Sequence, residues 1–148
     1  MLKQTLKTLY RRDLEKLKKE IDAYQNEGKI WITEKDIPNS AGNLCLHLIG
    51  NLNAFIGAEI GKTGYIRHRE LEFSQKYMPR GELLKKIDET IIVVDTALET
   101  LTDAQFNEEY PLLVFAEKMS TGYFLVHLTT HLAYHLGQIN YHRRLLDT

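Results

Sequence analysis

The chain of 148 residues has one cysteine, three prolines and one tryptophan, and carries almost no net charge, -1 at neutral pH. A lone Cys45 cannot form an internal disulfide, so no covalent staple is available and a reducing cytoplasm is the expected location. The 19 Lys and Arg are matched by 20 Asp and Glu. That balance leaves no global electrostatic reason to bind a phosphate backbone or an acidic bilayer, so neither nucleic acid nor membrane is an expected partner. No apolar run approaches the roughly 18 residues of a membrane span. The opening MLKQTLKTLYRR is charged from Lys3 onward and lacks the apolar centre of a signal peptide. What is present is 43% apolar residues in a length typical of one domain, enough to bury roughly 70% of the surface an unfolded chain exposes. Residues 1–148 are therefore expected to form one soluble domain.

Helical periodicity dominates the rest. Leu2, Leu6, Leu9, Leu14, Leu17, Ile21 and Tyr24 recur close to every 3.6 residues and predict an amphipathic helix ending near Gly28. KIWITEKDIPNS reads as a connector, with Asn39 or Ser40 placed to cap a second helix over AGNLCLHLIGNLNAFIGAEI that stops near Gly61. Leu44, Leu48, Asn51 and Phe55 share a stripe of that helix, with His47 on its shoulder. Gly50 and Gly57 inside it each cost about 1 kcal/mol relative to alanine. They point to close approach of another backbone or to simple tolerance. Residues 61 to 81 show no long periodic segment, only RHRELEF ahead of Pro79 and Gly81. Leu84, Ile87, Ile91, Val94, Leu98 and Leu101 then step by threes and fours, the spacing of a bundle helix. TDAQFNEEYPLLVFAEKM breaks the period, and Ser120 or Thr121 is placed to cap a last helix running to about Leu146.

Four helices without a sheet-forming pattern predict an all-α four-helix bundle. The connection of about 20 residues between helices two and three reaches about 66 Å when extended, enough to cross a helix some 30 Å long. An up-down-down-up order with that crossover is expected, since simple alternation would need only a short loop there.

Four of the six histidines fall in VHLTTHLAYHLGQINYH, with His127, His131 and His135 spaced by four. Residues at i and i+4 sit one turn apart on one helix face, so either adjacent pair could hold an ion. All three on one ion is disfavoured, because His127 and His135 are separated by about 12 Å along the axis and about 80° around it. A third ligand must come from another helix, and His47 is the only histidine elsewhere inside an amphipathic helix. It lies about 10 Å from the start of helix two. If helix four runs antiparallel to helix two, the matching depth selects His131 and His135; if parallel, it shifts to His127 and His131. Three neutral imidazoles suit Zn, Ni or Fe(II) and leave a position open for water or substrate. Asn51, Gln138 and Tyr134 are placed to orient the imidazoles, and no general base stands out. His68 is expected in solvent and His142 on the surface, where a cation beside Arg143 and Arg144 favours the helix dipole. Cys45 reads as a small buried residue. A plain polar stripe without metal is the bland alternative for the whole row.

The segments LCLHLIGNLN, RHRELEF and HLTTHLAYHLGQINYHRRLL, in that order, resemble the DinB-like superfamily of candidate metal-dependent enzymes. The resemblance implies an up-down-down-up four-helix bundle, a homodimer, and one divalent ion, Zn or Ni, on His47, His131 and His135, with His127 in reserve. It further implies a metal-dependent S-transferase using a low-molecular-weight thiol, or a hydrolase. A non-catalytic metal-binding or interaction module of the same fold is the second reading.

Overall fold

Leu6, Tyr10, Leu14, Leu17 and Ile21 bury one face of α1 (Leu2–Asp22), the first of six α-helices in a computed structural model that describes residues 1–148. The helix stops before the expected Gly28. The carboxylate of Asp147, at the far end of the chain, accepts the backbone N–H groups of Gln25 and Asn26 at 2.6 and 3.1 Å, and these bonds hold the chain in a turn. A 3-10 turn follows at Glu27–Trp31, where the Asn26 side chain accepts the Gly28 N–H.

Ser40 caps α2 (Ala41–Leu52) by accepting the Asn43 N–H, and every residue of this helix is buried. It continues into a π-helical segment, Asn53–Ala58. The crossover contains a helix the periodicity does not reveal, α3 (Arg69–Ser74). Asn43 ties it to α2 by donating to the carbonyls of Glu72 and Gln75 at 3.0 and 2.8 Å. In α4 (Arg80–Glu99) the buried stripe begins at Leu83 rather than Leu84, and includes Thr90 and Ala97. A capping box of Thr102 and Gln105 starts the short α5 (Asp103–Asn107), also unforeseen, because five residues are too few for a period to show. Ser120 caps α6 (Thr121–Leu146). There are no strands, only isolated bridges at Glu34–Ile37 and Glu109–Ser120. The all-helical expectation holds, with two short helices beyond the four long ones.

Long-range contacts give the relative sense of the long helices. Between α1 and α4, Lys7 meets Glu99 and Lys18 meets Asp88, so one index climbs as the other falls. Between α1 and α6, Tyr10 donates to the Leu125 carbonyl and Arg143 to Glu20, and both indices climb together. Between α2 with its π-helical continuation and α6, His47 lies against His131 and Phe55 against Phe124, which is the opposed sense. Asn53 donates to Thr90, and a β-carbon on Gly57 would meet Val93, so α4 and the π-helical continuation of α2 run together. All four contribute to one cluster of 31 buried apolar residues. The opposed sense of α2 and α6 is what brings position 47 level with 131 and 135. No helix is long and apolar enough to cross a membrane.

Candidate metal centre

His47, His131 and His135 come together where α2 faces α6. One ring nitrogen of each lies within 4.8 Å of the other two, a group that could hold a metal ion. The Nε2 atoms of His47 and His131 are 3.2 Å apart. Two nitrogens bound to one tetrahedral ion at about 2.05 Å sit about 3.4 Å from each other. The observed spacing therefore matches two ligands of a single ion.

The protonation pattern supports the same arrangement. His47 Nδ1 lies 3.0 Å from Oε1 of Glu72, itself buried. Burial alone would raise the Glu72 carboxyl, but hydrogen bonds from His47 and Arg67 outweigh it and hold the group below its usual range. Arg67 forks onto this carboxylate through Nε at 2.8 Å and Nη2 at 2.9 Å. An ionised carboxylate only accepts, so His47 donates from Nδ1, and in the neutral ring this leaves the lone pair at Nε2. Arg67 Nη2 also approaches His47 Nδ1 at 3.4 Å, but the shorter, charge-assisted carboxylate contact decides the tautomer. His135 repeats the pattern with a neutral partner: Nδ1 donates to Gln138 Oε1 at 2.7 Å, three residues on along α6, leaving Nε2 free. Burial lowers the pKa of His135, and pushes His131 from the ordinary 6.5 to about 4 with help from neighbouring His135 and His47. His131 and His135 are thus neutral near pH 7, the form that binds metal.

Glu72 and Arg67 are residues of this cluster that periodicity misses, since both lie in the crossover. An acid five residues after an arginine in RHRELEF is the only trace of them in the sequence. Gly50 belongs with them: a β-carbon there would stand 1.9 Å from Glu72 Oε2. The close neighbour that requires glycine is the Glu72 side chain and not another backbone.

The remaining candidates divide. Gln138 orients His135 as expected. Tyr134 touches the same ring only edgewise, with centroids 5.4 Å apart. Asn51 does not reach His47, whose Nδ1 is taken by Glu72; its Oδ1 is buried and without a partner. His127 lies outside the group of three, its ring packed edge-on against Phe115 at 4.9 Å. His68 is exposed, as expected. Cys45 is buried, with its thiol pushed up to about 12 by burial, too high for a ready thiolate.

The surface role expected for His142 is overturned. The residue is 2% exposed, with Nδ1 2.6 Å from the Tyr24 hydroxyl and Nε2 2.9 Å from the Ile32 carbonyl. A carbonyl only accepts, so Nε2 donates, and the neutral ring takes the Tyr24 proton at Nδ1. The connector after α1 folds over the end of α6 and covers the ring, which helix position alone does not reveal.

A family model described as "Protein of unknown function (DUF1572)" matches residues 2–148. Comparison with curated proteins and with solved structures found no match.

Proposed function

The chain belongs to this family of unknown function, and from that premise we propose that it is a divalent-metal-dependent enzyme, a thiol-dependent S-transferase or a hydrolase, with a three-histidine site. The observation that carries the reading is the pair of Nε2 atoms 3.2 Å apart, one of them a lone pair by the Glu72 contact. At that distance the two nitrogens can share a single proton, and a cation would take the proton's place between them. His47, His131 and His135 would hold the ion, with Zn or Ni the best matches to neutral imidazoles. When bound, such an ion supplies Lewis acidity to a thiol or a water.

The chain's own residues define the rest of the chemistry. Glu72 and Arg67 fix the His47 ring, and Gln138 fixes His135, so the donor atoms converge before any ligand arrives. Phe73 packs on His47 with centroids 4.9 Å apart and limits water on that side. His131 and His135 are only half-buried, which leaves the cluster open to a small molecule.

We place the family among DinB-like proteins on the three segments quoted above, and read residues 1–148 as one up-down-down-up domain. The relative senses of α1, α2, α4 and α6 support that order. A homodimer is supported by the outward face of α6, where Tyr123, Tyr134 and Tyr141 are each more than 60% exposed. A low-molecular-weight thiol as co-substrate and a cytoplasmic location complete the proposal.

Elemental analysis of protein purified without a histidine tag tests it. About one Zn or Ni per chain is expected, lost in His47→Ala, His131→Ala and His135→Ala; background metal in the unmutated protein would sink it. One observation favours the non-catalytic reading: Glu72, the carboxylate at the cluster, is committed to Arg67 and His47 and is not free to move protons. Adding 2-mercaptoethanol to cobalt-loaded protein separates the two, because only an accessible open position lets the thiol change the cobalt spectrum.

A further inference from the structure

Three buried side-chain nitrogen or oxygen atoms lack a hydrogen-bond partner: Trp31 Nε1, Asn51 Oδ1 and His131 Nδ1. The last two are chemically complementary, an acceptor and a ring nitrogen that donates when its Nε2 is deprotonated. They also lie at the same level of the molecule. On the opposed helices α2 and α6, His47 stands against His131 and His135, while Phe55 stands against Phe124. Position 51, midway between 47 and 55, therefore falls level with residues 127 to 131. Asn51 is one helical turn past His47 and only 6% exposed, so its amide has little water to turn to.

The other two imidazoles each have their Nδ1 supported, His47 by Glu72 and His135 by Gln138. His131 alone is bare at that atom. We propose that Asn51 is the positioning residue for His131: on metal loading, a rotation of the Asn51 side chain lets Oδ1 accept the His131 Nδ1 proton, which fixes Nε2 as the ligand atom. The inference rests on the metal reading above. Under it, the three rings are oriented from three different elements: His47 from α3, His135 from α6 itself and His131 from α2. A neutral amide suits the third place, because the site already holds the Glu72 charge.

Zinc titration of the metal-free protein, with NMR of the histidine side chains, tests the assignment in Asn51→Leu and Asn51→Asp. The leucine variant is expected to bind zinc about 10-fold more weakly or worse. Without metal it should melt at the same or a higher temperature, because a buried, unpartnered amide has been replaced by an apolar group of similar size. The aspartate variant keeps an acceptor and should retain zinc affinity. In the zinc-loaded unmutated protein the His131 Nδ1 proton should resist exchange with water, and in Asn51→Leu that resonance should vanish. Zinc affinity within twofold in Asn51→Leu with the proton still protected, or no rescue by aspartate, overturns the assignment while leaving the metal site intact. If the unmutated protein takes up no zinc, the metal reading fails first and this inference with it.

Discussion

Helix α6 carries two histidine environments about three turns apart, a buried one at His142 and a half-buried one at His131, and they are built on opposite principles. At His142 both ring nitrogens are used: Tyr24 gives a proton to Nδ1 and Ile32 takes one from Nε2. Every partner is neutral and fixed, so the ring is a clasp between α6, the end of α1 and the connector. At His131 the ring has one nitrogen facing another imidazole nitrogen at 3.2 Å and the other facing nothing. The first environment is complete; the second leaves Nδ1 without a partner. The two histidines thus differ in whether their hydrogen-bond capacity is closed, which the degree of burial does not reveal.

Four measurements break or sharpen that contrast. The largest effect is expected from exchanging the two roles: His131→Ala should weaken zinc binding by more than about 100-fold, since losing a ligand costs more than losing a ligand's support. His142→Ala should leave zinc per chain unchanged and lower the unfolding midpoint instead. Next, Gly50→Ala places a β-carbon where Glu72 Oε2 now sits and must expel the carboxylate from His47. Zinc titration should show a loss of about 10- to 100-fold in affinity, the range for removing a supporting carboxylate. An alanine variant with unchanged affinity would show that Glu72 does not orient the ligand.

Third, Tyr24→Phe removes the proton donor at His142 Nδ1 and leaves a buried acceptor bare. Urea denaturation should show a loss of about 1–3 kcal/mol, with zinc binding untouched. The smallest effect is the pH dependence of the metal-free protein. Burial depresses the His142 pKa, opposed in part by the Ile32 contact, and holds His131 at about 4 against an ordinary 6.5. Between the folded and unfolded values the unfolded chain binds more protons, so stability is present above about pH 6.5 and drains away as pH falls through that window. Thermal melts across it should show the decline. His142→Gln should flatten part of the slope, and saturating zinc should steepen it, because acid must also displace the ion.

The grouping of the three histidines was partly legible because helix geometry is periodic. A spacing of four puts His131 and His135 on one face, and only the opposed sense of α2 and α6 selects them over His127 as the neighbours of His47. Glu72 and Arg67 were not legible in this way. They sit in six residues of helix and an extended lead-in, too short for a hydrophobic period, and their partners are 20 or more residues away in the chain. His142 was misplaced for a related reason. Its position among basic residues at a helix end is a real electrostatic preference, but a few tenths of a kcal/mol at a helix terminus is easily outweighed by burying a ring with both nitrogens satisfied.

What the sequence determined by itself follows from local rules: amphipathic helices, their caps to within one residue at Asn39 or Ser40 and Ser120 or Thr121, and the histidines that share a face of α6. What only the tertiary structure decided is the proton inventory of each ring, because that depends on groups brought in by chain crossing. Glu72 reaches His47 through the gap left by Gly50, and Ile32 reaches His142 through the turn that Asp147 holds. Periodicity can place an imidazole on a face, but the donor or acceptor that meets it across the interface comes from a segment whose own pattern carries no record of the encounter.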